Sequence, residues 1–146
     1  MSLLQFAAPI GAIESVSGEL PYVILALVLV NLVTRHLAHR RHKQLAADGA
    51  ESMSRFGPHV AVSAVLVFVC FLFMVVEPHS GMVISVLAVG TVLADFFEFE
   101  ARLVEARNNL EIEAPKAAIT TSIVTLLYAA YLALFWIVRE QWTSIV

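Results

Sequence analysis

Asp95 and Glu98 are carboxylates that fall where a long apolar stretch meets polar sequence, and Asn31, Arg35, His59 and Arg102 fall at the matching depth of this and neighbouring apolar stretches. A carboxylate near a membrane boundary is costly unless it is paired or hydrated. These six residues are therefore expected to gather into one polar cluster, with Thr120 or Thr121 as further partners. Two kinds of chemistry suit such a set. In one, the charge pairs pin the register of a helix bundle. In the other, Asp95 or Glu98 titrates while His59 relays protons, giving a proton- or cation-handling site.

Other groups invite a chemical reading less strongly. His36, His39 and His42 recur every three residues, and His36 with His39 form a weak candidate pair of metal ligands. Arg35, Arg40, Arg41 and Lys43 surround them, and that positive charge opposes a cation while favouring anionic lipid head groups or an acidic partner. Glu77 and His79 could pair, or bind a metal, with Glu14 or Glu19, although solvation at a turn explains them as well. Phe68, Phe71, Phe73, Phe96, Phe97 and Phe99 suggest a haem or quinone pocket, but the histidines sit at the ends of the apolar stretches, so packing is the expected role and no cofactor is expected. Cys70 is the only cysteine, which excludes an intrachain disulfide and a thiolate metal cage. No P-loop, GxSxG, HExxH, CxxC or Gly-rich dinucleotide fingerprint occurs, so no catalytic residue is assigned and an enzyme is not expected.

The elements that must position these groups are four apolar stretches separated by three polar breaks. The chain has 146 residues, 60% of them hydrophobic, and a mean hydropathy of +0.83. Soluble domains are about 45–50% apolar, so the bilayer must act as solvent. The spans are expected at about 20–37, 58–76, 82–99 and 117–138, with breaks at 38–57 and 100–116 and an external N-terminal segment over 1–19. No room remains for a separate soluble domain, and the whole chain forms one all-α membrane four-helix bundle. Arg35, Arg40, Arg41, Lys43, Arg55, Arg102, Arg107 and Lys116 lie on one side and only Arg139 on the other, so the positive-inside bias predicts both termini outside. The cluster Glu77, Pro78, His79, Ser80 and Gly81 predicts a tight outer turn that makes the second and third spans antiparallel neighbours.

Steps of four and three along the third span give one stripe of Gly81, Ser85, Ala88, Val92, Asp95, Phe99 and Arg102. Its membrane half is mostly small, which suits close helix packing and aims Asp95 inward. Gly90 and Ala94 form a second small pair for another helix or an oligomer contact. This span is expected to continue as one helix of about 28 residues, roughly 40 Å long, into a charged cytoplasmic stalk where Glu98 and Arg102 can pair. The late aromatics Tyr128, Tyr131, Phe135, Trp136 and Trp142 suggest an outer-leaflet belt. The N-terminus does not read as a signal peptide and is expected to remain, with Leu3, Phe6, Ile10 and Ile13 on one interfacial face interrupted near Pro9.

With ADFFEFEARLVEAR on the third span, GMVISVLAVGTVL before it and TRHLAHRRH closing the first, the chain resembles a family of small uncharacterised four-span membrane proteins of halophilic archaea. The resemblance covers most of the chain and implies a membrane location, with no catalytic residue carried over. The expected function is a non-enzymatic accessory or scaffold subunit, multi-pass in the cell membrane; the alternative is a small oligomeric proton- or cation-coupled carrier or channel. Expected partners are the lipid bilayer and either further copies of the chain or other membrane subunits. No footprint for nucleic acid is present.

Overall fold

Prolines open every long helix. A computed structural model of the chain describes the backbone of residues 4–146 and the side-chain surroundings from Pro9 onward. The expectations for Leu3 and for the Phe6 side chain lie outside the described residues. The helices are α1 (Leu4–Ser15), α2 (Leu20–Ala47), α3 (Gly57–Val76), α4 (Pro78–Arg107) and α5 (Lys116–Ile145), with a short 3-10 turn at Ala50–Ser52, and the described residues contain no strand. Pro21, Pro58 and Pro78 occupy the first positions of α2, α3 and α4, and Pro115 caps α5. A proline there forfeits no helical hydrogen bond, because the first N–H groups of a helix have no internal acceptor.

Helix ends follow equally local chemistry. α4 stops at Asn108 and Asn109, and Asn109 adopts φ 55. The Leu110 amide then donates to the Glu105 carbonyl at 2.9 Å and the Asn109 amide to Ala106 at 3.2 Å, the two bonds of a Schellman ending. α2 ends at Asp48 before Gly49, whose φ of 109 suits glycine. Pro9 does not interrupt α1, which runs through it. The outer turn is also tighter than expected, since only Glu77 separates α3 from α4 and His79, Ser80 and Gly81 belong to the first turn of α4.

α2 packs on α3 and α5, and α4 packs on the same two, which closes a ring with α2 and α4 on the diagonal. Each inward face repeats at steps of mainly three and four: Leu20, Ile24, Val28, Asn31, Arg35, Ala38 and His42 on α2, and His59, Ser63, Leu66, Cys70 and Phe73 on α3. On α5 the face is Ala118, Ser122, Thr125, Ala129 and Ala133. A spacing near 3.5 keeps a seam facing its neighbour in a left-handed bundle. Ile24, Val28, Leu66, Cys70, Ile84, Ala88 and Ala129 fill the half near the α3–α4 turn with apolar groups.

Four helices are long and apolar enough to cross a membrane, and no more than 28% of any apolar window is buried. The rest faces outward, including exposed Val33, Phe68, Val86 and Leu127. Apolar surface of that extent is at home against lipid rather than water.

Gly81 sets the closeness of α3 and α4. A Cβ added there would lie 2.1 Å from Met74 Cα and 2.4 Å from its amide nitrogen, whereas one added at Gly90 meets nothing within 4 Å. Gly90 thus makes no close helix approach within the chain. Gly81→Ala is expected to destabilise the bundle by at least about 1–3 kcal/mol through backbone overpacking, while Gly90→Ala stabilises it by up to about 1 kcal/mol through helix propensity. Unfolding of both variants in mild detergent checks this, and equal midpoints would contradict the close approach.

Candidate functional site

Arg35 projects from α2 into the middle of the ring, where it is 3% exposed. Guanidinium is permanently charged and carries five N–H donors, so burial demands acceptors. Nε donates to Asp95 Oδ1 at 2.9 Å and Nη2 to Asp95 Oδ2 at 2.8 Å, a bidentate fork between α2 and α4. Nη2 also donates to Asn31 Oδ1 at 2.8 Å, and Nη1 donates to the Ser122 hydroxyl on α5. Asn31 in turn donates from Nδ2 to Ser63 Oγ on α3 at 2.9 Å. One network thus joins all four long helices.

His59 completes it from α3. Its Nε2 lies 3.0 Å from Asp95 Oδ2 and its Nδ1 lies 2.9 Å from Thr34 Oγ1. A carboxylate paired with guanidinium only accepts, so His59 Nε2 carries a proton and donates it to Asp95. The Thr34 hydroxyl is also 3.0 Å from the Asn31 carbonyl. Its single proton serves one acceptor at a time.

A second polar group lies toward the basic end. Arg102 Nη1 is 2.8 Å from His42 Nδ1, and His42 Nε2 is 3.0 Å from the Ser54 carbonyl. Arg102 can only donate, so His42 is the neutral tautomer with its proton on Nε2. Toward the middle of the bundle, Thr91 and Thr125 face each other at 3.2 Å between α4 and α5, each also within reach of its own helix carbonyl.

The six expected residues do not form one cluster. Asn31, Arg35, His59 and Asp95 stand in mutual hydrogen-bond contact. Arg102 belongs to the His42 group. Glu98 accepts the Ala117 amide at 3.0 Å instead of joining the cluster, because a position three residues beyond Asp95 points toward the first turn of α5, whose free N–H groups attract a carboxylate. The expected Glu98–Arg102 ion pair is therefore not formed. Thr120 and Thr121 bond back to carbonyls of their own helix, and Ser122 takes the role assigned to them. On α4, Gly81, Ser85 and Ala88 are buried on the inward stripe and Ala94 is half-buried, while Val92 yields its expected place to buried Thr91. His36 is exposed and His39 half-buried, and no group of three or more metal-ligating side chains occurs among the described residues.

A family described as a domain of unknown function, DUF7313, matches residues 2–146. The chain belongs to the DUF7313 family. No curated protein and no solved structure matches it. Membership in DUF7313 brings no residue roles with it, so the roles in this DUF7313 chain rest on geometry alone.

Several participants escaped the sequence reading. Thr34, Ser63 and Ser122 are small groups that satisfy themselves in many settings, and His42, read only as part of the His36–His39–His42 run, turns out to face Arg102, but Ser122 and Ser63 do share the three-four phase of their buried faces. In this DUF7313 bundle, Asp95→Asn leaves Arg35 buried beside a neutral amide that cannot match the fork. The expected cost is about 3–5 kcal/mol. Adding Arg35→Met to Asp95→Asn should recover part of that loss, because the uncompensated charge disappears. Denaturant unfolding of the single and double variants measures both, and a single variant as stable as the parent would show that the pair does not hold the helices.

Proposed function

We propose that the protein is a non-enzymatic accessory or scaffold subunit of the cell membrane, with both termini outside and the basic ends of its helices in the cytoplasm. The observation that carries this reading is the complete use of Asp95: both oxygens accept, from Arg35 and from His59, within a network that ties all four spans together. A bundle pinned by such a network presents fixed outer surfaces to lipid or to neighbouring subunits. The polar extensions of α2 and α4 beyond the apolar stretches, over 38–47 and 100–107, supply charged surface for a partner at the basic end. The excess of 12 acidic over 9 basic residues, with only two lysines, supports the likeness to halophilic archaeal proteins.

The alternative, an oligomeric proton- or cation-coupled carrier, draws support from a cleft that reaches both His59 and Asp95. Against it stands the charge of that cleft, where Arg35, Arg55 and Arg102 surround a single carboxylate. Three guanidiniums against one carboxylate give the cleft a positive balance that disfavours a cation.

Three outcomes are expected. Purified in mild detergent from its native cell, the tagged full-length protein brings stoichiometric foreign subunits; a homogeneous homo-oligomer would count against the accessory role. Reconstituted in liposomes, the chain passes no protons above the lipid background, and a flux abolished by Asp95→Asn would establish the carrier instead. In a Cys70→Ala background, a cysteine at Ser80 reacts with an impermeant reagent from outside and one at Asn108 only from inside, and the reverse pattern would overturn the orientation.

A further inference from the structure

Arg102 is a buried cation with no carboxylate within ion-pair distance among the described residues. It is 6% exposed, its Nε has no hydrogen-bond partner, and its one side-chain partner is neutral His42. Among the described residues, Arg35 pairs with Asp95, Arg55 with Glu100, and His59 lies against Asp95, and none of these contacts includes Arg102. A guanidinium held in this state is poised for an anion, since leaving a buried charge unpaired is costly.

The space beside it has the shape for one particular kind of anion. A cleft of about 560 Å³ between α3 and α4, floored by α2, is lined at its basic end by Arg102, Arg55 and His42 and further in by Val60, Val67 and Val92. From Arg102 to Val92 along α4 is ten residues, or roughly 15 Å at a helical rise of 1.5 Å per residue. Val60, Ala64 and Phe96 are exposed along its mouth, so the cleft opens sideways, onto the surface that faces lipid in a membrane. Arg55 leans over the mouth with its guanidinium carbon 4.3 Å from the Phe99 ring centre and 4.8 Å from that of Phe96. Its ion pair with Glu100 is open to solvent, and such pairs contribute little, so Glu100 competes only weakly with an anion in the cleft for Arg55.

We propose that this cleft binds a phosphate-headed membrane lipid, its head group on Arg102 and Arg55 and one hydrocarbon chain along Val60, Ala64, Val67 and Val92. The spare positive charge selects an anionic head. Guanidinium forks match phosphate oxygens. The apolar wall requires a chain, so inorganic phosphate alone fills only one end. The site is independent of the accessory role, because it lies within one chain.

The test uses the full-length protein, delipidated in mild detergent, with phosphatidylglycerol, diacylglycerol of the same chains, and inorganic phosphate as probes. Native mass spectrometry and thermal unfolding read binding. Phosphatidylglycerol is expected to remain bound and raise the midpoint, with little effect from diacylglycerol or phosphate. Arg102→Gln should weaken binding at least about tenfold, as loss of a charge-assisted hydrogen bond does. Ala64→Trp, which fills the mouth at an exposed position and leaves Arg102 intact, should weaken it similarly and decides the matter if Arg102→Gln fails to fold. Diacylglycerol or phosphate acting as strongly as phosphatidylglycerol, or undiminished binding by Ala64→Trp, would overturn the proposal.

Discussion

A bidentate Arg35–Asp95 pair, set at a depth where neither charge can stand alone, is the constraint on which the bundle's register depends. The fork needs two parallel hydrogen bonds at once, so α2 and α4 cannot slide past each other by even one residue without losing one of them. Asn31, one turn from Arg35, extends the requirement to Ser63 on α3, and Ser122 extends it to α5. Apolar packing alone does not provide this, because lipid tails and a leucine face are nearly equivalent surroundings for a membrane helix. Specific polar contacts and small-residue approaches such as Gly81 against Met74 therefore select one arrangement among many of similar apolar burial.

Depth was legible in the sequence, and azimuth much less so. Charged or amide groups are rare in apolar runs, so Asn31, Arg35, His59 and Asp95 could be placed at one level simply by distance from the ends of their runs. Which way each side chain points depends on about 100° per residue, and one step of error sends it to another neighbour. Glu98 illustrates this, since it shares the level of the basic end yet faces α5. Thr121 and Ser122 do so again: adjacent in sequence, both donate to carbonyls of their own helix, but only Ser122 also accepts from Arg35. The repeating small residues of α5 fix the phase that distinguishes them, because Ala118, Ser122, Thr125, Ala129 and Ala133 share one buried face. His42 was harder to read, as it lies among Arg40, Arg41 and Lys43, and only the continuation of α2 to Ala47 turns it back into the bundle.

The two halves of the bundle are chemically unlike. Toward the basic end, most polar groups come in sets whose donors and acceptors answer each other, with Arg102 Nε and His39 Nδ1 left without partners. A guanidinium tolerates the place of Arg102 better than an ammonium would, being planar and more weakly hydrated, and the cleft beside it admits a partner from the side. Toward the α3–α4 turn, the interior is lined almost wholly by apolar side chains. Leu20, Ile24, Phe73 and Ile84 close it, and Ser85 Oγ sits among them without a partner.

That asymmetry bears on transport. Moving a proton across a membrane requires a continuous file of groups that can both give and receive it, or water that bridges the gaps. Here the polar groups form separate sets, the His42 group, the His59–Asp95 network and the Thr91–Thr125 pair, with no hydrogen bond joining one set to the next among the described residues, and beyond them Ile24, Leu66, Ile84 and Ala88 fill the interior. Opening that plug would expose close-packed apolar side chains to water while the Arg35 network, which spans the same four helices, resists their separation. The groups that would carry charge are thus the groups that keep the helices from parting, which supports a reading in which the polar network holds the bundle still rather than lets it conduct.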